Sequence, residues 1–155
     1  MAFSFSYFKI DCRELDAFAK QLGEIPKKKE KERKQFIRKQ GSALRRVAVK
    51  EANARVRKTA VVRRRNPRPA GKFHKSIKRG KWYRYGDGAD CIRVYSSDKI
   101  AHIIDRGWTP KLRDRSQGDP VAGKEVFSSA SDSFEPKFYL ACDRFAAGYK
   151  GEIER

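Results

Sequence analysis

The spacing of apolar and polar residues predicts that the chain opens with a strand and a short helix. In residues 3–10, aromatic side chains fall on one face and serines on the other, which is the period of a strand. Residues 12–22 instead repeat apolar side chains at helical spacing, at Leu15, Phe18, Ala19 and Leu22. Asp11 suits the N-cap of this helix and Gly23 its end.

A second, much longer helix is predicted to begin at Pro26, since proline suits the first helical position, and to run to about Val61. Its apolar positions form a thin stripe, and most other positions are Lys or Arg. A helix of about 35 residues would be roughly 50 Å long, which is more than the core of one small domain covers. We therefore expect part of the helix to project or to pack on a neighbouring subunit, and residues 27–34 to fray or stand free.

The middle of the chain predicts a loop followed by an antiparallel hairpin. Residues 63–72 contain two prolines, one glycine and five positive charges, which is typical of a loop. Residues 73–85 indicate a strand, and the glycines of residues 86–88 indicate a tight turn. Residues 91–95 are the expected return strand.

The remaining segment predicts a short helix and then a long polar loop. Asp98 is placed to cap a helix that runs to Ile104 and stops at Gly107. Residues 108–123 are polar and contain two prolines and two glycines, which predicts a loop of functional length.

The end of the chain predicts a brief strand and a closing helix. Val126 and Phe127 indicate the strand, and Pro136 is the expected first residue of the helix, which would end at Gly148. The apolar face of this helix is Phe138, Tyr139, Cys142, Phe145 and Ala146.

These elements together predict an α+β fold in one domain, residues 1–155. Its parts are an N-terminal strand and short helix, a long basic helix, an antiparallel sheet with a hairpin, and a closing C-terminal helix. Residues 27–72 would form the basic helix and Arg-rich loop, and residues 73–148 the sheet and closing helix.

The charge is concentrated in the first half of this arrangement. The net charge is +19, of which residues 1–80 carry +18 and residues 81–155 carry +1. Residues 27–79 hold 22 Lys and Arg against 3 acidic residues. Such asymmetry is typical of a chain that meets nucleic acid or another polyanion. The alternatives are that the charge meets an acidic protein face or simply keeps a surface solvated.

Clustered positive charge binds a phosphate backbone without a sequence-reading motif, because binding releases counterions from the nucleic acid. The side chains expected to face DNA or another polyanion lie on the long helix and in the loop after it: Arg45, Arg46, Arg55, Arg57, Lys58, Arg63, Arg64, Arg65, Arg68 and Lys72. No helix-turn-helix or RNA-recognition signature accompanies them, so sequence-specific binding is not expected.

Aromatic residues interleave with cations in the predicted hairpin, where Trp82, Tyr83 and Tyr85 flank Lys81 and Arg84. Such rings can stack on nucleic-acid bases. At strand spacing they more often pack in the core and across the strands, and we favour packing.

Residues that could support catalysis are sparse. His74 and His102 are the only histidines, and neither lies in a nucleophile motif. Asp105 follows His102 at a spacing seen in metal sites, but no other ligand type clusters there. The acids Asp87 and Asp90 flank a predicted turn, where turn chemistry explains them. With no phosphate-binding loop either, we expect no enzyme activity, no metal and no cofactor.

The cysteines and the hydropathy bear on the compartment. Cys12, Cys91 and Cys142 are isolated, which fits reduced thiols rather than a disulfide framework. Residues 1–5 lack the basic start and apolar run of a secretion signal. Because no apolar stretch approaches the roughly 20 residues that span a bilayer, we expect a soluble compartment and no membrane partner.

Three short motifs follow one another in an order that resembles a known family. They are Gly71-x-Phe73-x-x-Ser76-Ile77, then residues 100–107 with the sequence Ile-Ala-His-Ile-Ile-Asp-Arg-Gly, then Pro136-x-Phe138-Tyr139-Leu140. This order, after a long basic helix, resembles the tail-completion, or neck, proteins of long-tailed bacteriophages. The resemblance covers about residues 12–149.

The resemblance implies a structural, non-catalytic virion protein, assembled in the bacterial cytoplasm and located in the neck. It implies a ring, usually six-fold, that joins the tail tube or tail terminator protein to the head connector or adaptor proteins around the channel for genomic DNA. Gly71 and Gly107 would be turn positions that hold the fold.

On this interpretation the polar loop contacts a neighbouring subunit or the tail tube, with Trp108 as an anchor. The interface residues expected there are Trp108, Lys111, Leu112 and Arg113. The alternative function is a general nucleic-acid-binding protein that grips RNA or DNA with its basic helix and Arg-rich loop.

Overall fold

The computed structural model describes residues 8–9, 27–60, 62, 67–84, 89–112 and 117–153. Its helices are α1 (Lys27–Arg55), α2 (Lys72–Ser76), α3 (Ala101–Arg106) and α4 (Val126–Ile153). Its strands are β1 (Phe8–Lys9), β2 (Ile77–Arg79), β3 (Tyr83–Arg84), β4 (Asp90–Cys91), β5 (Arg93–Ser96), β6 (Gly107–Trp108) and β7 (Val121–Ala122). The strand pairs are antiparallel, and the predicted α+β class is confirmed.

The largest sheet has β5 at its centre, between β1 and β2. Val94 of β5 pairs with Phe8 on one side and with Arg79 on the other. The pairing of β1 confirms a strand within residues 3–10. The helix predicted for residues 12–22 lies outside the described residues.

The predicted hairpin is confirmed by the pairing of β3 with β4, although its turn at residues 86–88 lies outside the described residues. The hairpin continues the ladder of β2 and β5 after one interruption. Arg79 pairs with Val94 and Tyr83 pairs with Cys91, so one strand uses one residue more than its partner. An extra residue of this kind is a β-bulge, which bends and twists the strand.

Residues 73–76 form a helix, whereas the sequence pattern predicted the start of a strand. Gly71 has a φ of +68°, and its carbonyl accepts the Lys75 amide at 3.1 Å, which closes a helical turn. Phe73 and Ile77 are both buried and lie four residues apart, which is a helical spacing. The aromatic content of this segment obscured that spacing.

Helix α1 ends at Arg55 and not near Val61, as the sequence pattern predicted. The buried His74 side chain lies against the end of this helix. The Nε2 atom of His74 lies 3.0 Å from the Ala52 carbonyl oxygen and 3.1 Å from that of Val56. Because carbonyls only accept, Nε2 carries the proton and satisfies the end of the helix.

The expectation that residues 27–34 fray or stand free is wrong for residues 30–34, which pack on the hairpin. Arg33 Nε lies 2.5 Å from the buried carboxylate of Asp90, and Lys34 Nζ sits 4.4 Å from the centre of the Trp82 ring. Glu30 pairs with Lys34 at 2.9 Å and with Arg84 at 3.5 Å. These contacts hold the charged first part of α1 against the hairpin.

The core lies between α1, α4 and the sheet. Helices α1 and α4 run antiparallel, since Phe36 near the start of α1 stacks on Phe145 near the end of α4 at 4.4 Å. The most buried side chains include Ile37, Leu44, Ile77, Ile92, Val94 and Val126. Gly41 lets α1 approach the sheet, because a Cβ there would lie 2.7 Å from the Ile92 side chain.

The described part of the segment predicted to be a polar loop forms a two-stranded arm, here defined as residues 107–112 and 117–122. Strand β6 pairs with β7, and an isolated bridge joins Lys111 to Gln117. Gly107 has a φ of +84°, and a Cβ there would collide with the Val121 carbonyl oxygen. The chain therefore needs glycine at the point where α3 turns into the arm.

Helix α4 begins ten residues before Pro136, so the predictions of a strand at Val126 and Phe127 and of a helix start at Pro136 are both wrong. The carboxylate of Asp105 accepts the Phe127 amide at 3.0 Å and acts as the N-terminal cap. Pro136 is exposed inside the helix, where the carbonyl that it leaves free belongs to the exposed Asp132.

The helix passes the predicted end at Gly148 and reaches Ile153. Of its predicted apolar face, Phe138 is buried and Cys142 packs against the core, while Tyr139 is half exposed. Among the described residues no helix is both long and apolar enough to cross a bilayer.

Candidate polyanion interface

Two of the arginines predicted to face a polyanion are instead paired with carboxylates. Arg55 Nε donates to Glu51 at 3.0 Å, one turn earlier on α1. Arg68 binds both carboxylate oxygens of Asp98 in a fork, with Nη1 to Oδ1 at 3.0 Å. These pairs stabilise the fold and leave less charge for a partner.

The Arg68–Asp98 pair ties the loop after α1 to the start of α3. Asp98 also accepts the Ile100 amide at 3.4 Å, and its carbonyl accepts the Ala101 amide at 3.0 Å, ahead of α3. Burial alone raises the pKa of the Asp98 carboxyl. The hydrogen bonds from Arg68 and Ile100, with the charges of Arg68 and Lys72, outweigh burial and hold this pKa below its ordinary value.

Three more predicted residues are exposed cations in the same region: Arg57, Lys58 and Lys72. The stem of Lys58 passes Gly71, since a Cβ on Gly71 would lie 3.8 Å from it. The predicted residues Arg63, Arg64 and Arg65 lie outside the described residues.

The remaining two predicted residues, Arg45 and Arg46, lie together in a basic groove between α1 and β2. The groove has a volume of about 630 Å³ and is open to solvent. The described side chains that line it are Ser42, Arg45, Arg46, Lys78 and Arg79. Four cations and one hydroxyl therefore meet there, and no carboxylate is among them.

Hydrogen bonds to backbone carbonyls fix two of the arginines of the basic groove. Arg45 Nε donates to the Ile77 carbonyl at 2.9 Å, and Arg79 Nη1 donates to the Arg38 carbonyl at 3.1 Å. Arg79 Nη1 also donates to the Ser42 hydroxyl oxygen at 3.1 Å. The Ser42 hydroxyl itself donates to the Arg38 carbonyl at 2.9 Å, so its oxygen is oriented to accept from Arg79.

The sequence interpretation missed Lys78 and Arg79 as members of this surface. It counted them in the basic segment of residues 27–79 but placed them in a strand and did not name them among the polyanion-facing residues. The signal was present, since buried Ile77 is followed by two exposed cations at the edge of a sheet. Only the packing of α1 beside β2 shows that these cations join Arg45 and Arg46.

Three of the predicted interface residues, Trp108, Lys111 and Leu112, lie on the arm. Trp108, Leu112 and Val121 expose 49%, 51% and 50% of their surfaces. Lys111 is exposed beside them, and Arg113 lies outside the described residues.

Two of the candidate catalytic residues cap helices, and a third is exposed. His74 caps α1, Asp105 caps α4, and His102 is exposed on α3. Throughout the described ranges, no three His, Cys, Asp or Glu side chains gather closely enough to hold a metal ion.

Two of the hairpin aromatics, Trp82 and Tyr83, are packed, as we favoured. Trp82 packs against the core with Lys34 over its ring, and Arg93 lies 4.8 Å from the centre of the Tyr83 ring. Both rings are thus covered by cations of this chain. Tyr85 lies outside the described residues.

Several residues of the short sequence motifs lie in turns or in the core. Gly71 and Gly107 both have positive φ angles and occupy turns, while Phe73, Ile77 and Phe138 are in the core. No protein-family model, curated protein or solved structure matches the chain.

Proposed function

We propose that this chain is a structural subunit of the neck of a long-tailed bacteriophage. In this role copies of it form a ring, expected to be six-fold, that completes the tail and joins it to the head connector around the DNA channel. The order of the three sequence motifs after a basic helix is what suggests this family.

The observation that carries the proposal is that the described surface has two features of different chemistry. The basic groove gathers four cations with no carboxylate among its lining residues. The arm presents three large, half-exposed apolar side chains. A subunit that must hold its neighbours and also face DNA needs one surface of each kind.

The arm suits contacts between proteins. Interface energy concentrates in a few residues, and tryptophan is among the residue types most enriched there. Trp108 and Leu112 would be the anchors, with Lys111 and Arg113 at the polar rim. The partners proposed for this surface are a second copy of the chain and the tail tube or tail terminator protein.

The basic groove suits a surface beside DNA. Cations without carboxylate partners attract phosphates and release counterions when they bind them, whatever the base sequence. In a ring, each copy would repeat the groove, and the head connector or adaptor proteins would meet another face.

Electron microscopy of the purified protein, with and without isolated tails, tests the proposal. We expect closed rings of one size, and we expect these rings at the head-proximal end of the tails. A protein that stays monomeric and does not associate with tails would contradict the proposal.

The second candidate is a general nucleic-acid-binding protein, and the fixed arginines of the basic groove favour it. Such a protein would bind free duplex as a monomer with high affinity. Its binding would not require contacts between copies through the apolar arm. A monomer that binds duplex and never forms rings would therefore select this candidate.

A further inference from the structure

We propose that the basic groove is a preformed binding site for the phosphodiester backbone of nucleic acid, and that it works in the single subunit. The inference rests on the proposed polyanion-facing role, and it narrows that role from a whole helix and loop to five side chains. Two of the cations, Lys78 and Arg79, come from β2 and extend the site beyond the basic helix.

Charge is the first argument for this site. Four arginines elsewhere in the described part of the chain have carboxylate partners: Arg33 with Asp90, Arg55 with Glu51, Arg68 with Asp98 and Arg84 with Glu30. The four cations of the basic groove have no such partner among the described residues. Like charges held together repel each other, and an anion from outside relieves this repulsion.

Preorganisation is the second argument. The bonds from Arg45 to Ile77 and from Arg79 to Arg38 and Ser42 use only part of each guanidinium. The Nη groups of Arg45, and Nε and Nη2 of Arg79, have no partner among the described residues. A guanidinium with its stem fixed can bind a phosphate in a fork and loses little side-chain freedom on binding.

The lining identifies the backbone, rather than the bases or a protein, as the favoured ligand. No aromatic ring lines the described part of the basic groove, so it offers no platform on which bases stack. It also offers no apolar pocket for the anchoring side chain that a protein partner needs. What it offers is a set of donors, which suits the oxygens of successive phosphates.

The salt dependence of duplex binding tests this site directly. The variant Arg46→Ala/Lys78→Ala removes two cations whose side chains make no described hydrogen bond, so its fold should persist. The matched control, Lys99→Ala/Lys124→Ala, removes two exposed lysines outside the basic groove. Binding of a labelled duplex of random sequence is measured across a series of salt concentrations, with circular dichroism as the check of folding.

We expect the slope of log affinity against log salt to become shallower by about 1.8 in the groove variant, which is about 0.9 for each phosphate that the variant no longer neutralises. We expect the control to keep the wild-type slope. Equal slopes in the groove variant and the control would overturn the proposal.

The neutral variant Ser42→Ala tests preorganisation without any change in charge. Ser42 is a positioning residue, so its removal should weaken duplex binding about fivefold, which is the cost of one hydrogen bond, while the salt slope stays unchanged. Wild-type affinity in this variant would overturn the fixed geometry assigned to Arg79.

A competition experiment distinguishes nucleic acid from acidic protein as the ligand of the basic groove. Poly-glutamate competing as well as the duplex for the basic groove would contradict the phosphodiester assignment. The outcome is also independent of ring assembly. Rings on tails with no groove dependence would overturn this inference alone, and groove-dependent binding by a chain that never forms rings would overturn the neck assignment alone.

Discussion

At the scale of the residue, the roles of charged side chains depend on their partners more than on their position in the sequence. Arg45 and Arg68 belong to the same basic half of the chain. Arg68 is held by a buried carboxylate, whereas Arg45 turns toward the basic groove. The sequence showed a surplus of charge, but it could not show which cations would find an acidic partner from a distant segment.

Asp98 gives a prediction about acid stability. The pKa of the Asp98 carboxyl in the folded protein lies below its ordinary value. Its contribution to the free energy of unfolding is therefore fully present above the unfolded pKa of about 3.9. This contribution is lost as the pH falls through the folded pKa. We expect Asp98→Asn to lower the free energy of unfolding at pH 7 by about 2 kcal/mol, because the variant cannot form the charged, hydrogen-bonded pair with Arg68.

Urea unfolding at neutral pH and below pH 4 measures this effect. The difference between wild type and Asp98→Asn should shrink at the lower pH, since the wild-type carboxyl then takes up a proton. The control Asp132→Asn, at an exposed position of α4, should stay within about 0.5 kcal/mol of wild type. A difference that persists undiminished at low pH would contradict the role of the Asp98 charge.

Gly41 and Gly148 form a matched pair of helical glycines with opposite expected effects. A Cβ at Gly41 would lie 2.7 Å from the Ile92 side chain, whereas a Cβ at Gly148 meets nothing within 4 Å. Gly148→Ala should stabilise the protein by up to about 1 kcal/mol through helix propensity. Gly41→Ala should destabilise it by about 1 kcal/mol, because overpacking outweighs the same gain.

Thermal and urea unfolding of the two glycine variants provide the comparison. If Gly41→Ala were as stabilising as Gly148→Ala, the close approach of α1 to the sheet would be wrong. The sequence placed Gly41 inside the long helix and Gly148 at the end of the closing helix, and it gave no sign of what either glycine contacts. Their difference comes from the tertiary contact with Ile92.

At the scale of the element, the presence of most helices and of the hairpin was predictable, whereas several of their boundaries were not. The long basic helix, the hairpin and the stop at Gly107 are evident in spacing and turn chemistry. The start of α4 was missed because its cap, Asp105, precedes the helix by 21 residues in the sequence. A distant cap leaves no local signal, and Pro136 supplied a misleading one.

The arm was missed for a related reason. Its strands are two residues long and its sequence is polar, so no period could appear. The pairing of β6 with β7 depends on Gly107 and Gly123, which allow the two backbones to approach closely. The candidate interface residues Trp108 and Leu112 could be named from the sequence, but the strand pairing that carries them could not.

The arm gives a prediction about assembly. Trp108→Ser/Leu112→Ser removes two half-exposed apolar side chains, so the stability of the subunit should change by only about 0.5 kcal/mol. Ring formation should fall sharply, because interface energy concentrates in such anchors. Analytical ultracentrifugation measures the oligomeric state.

Leu140→Ser is the control for the arm variant, since Leu140 is 52% exposed but lies on α4. It should leave assembly unchanged. If the arm variant assembles as well as the wild type, the proposal that the arm forms the subunit interface is contradicted.

At the scale of the whole molecule, the charge asymmetry of the sequence has a structural form. Part of the basic half is neutralised within the fold by Asp90, Asp98 and Glu51. Of the other described cations, four gather in the basic groove and several more are exposed near the end of α1. The central claim, that this molecule is a neck subunit with a DNA-facing site, combines that surface with the arm and with the order of the sequence motifs.

Quantitative mass spectrometry of purified phage particles whose genome encodes this chain gives the sharpest test of the proposed neck position. We expect the chain to be present in the particles at one ring per tail, at about six copies for a ring of the usual symmetry. Its absence from particles, or a copy number that matches the capsid shell and not a single ring, would contradict the neck assignment.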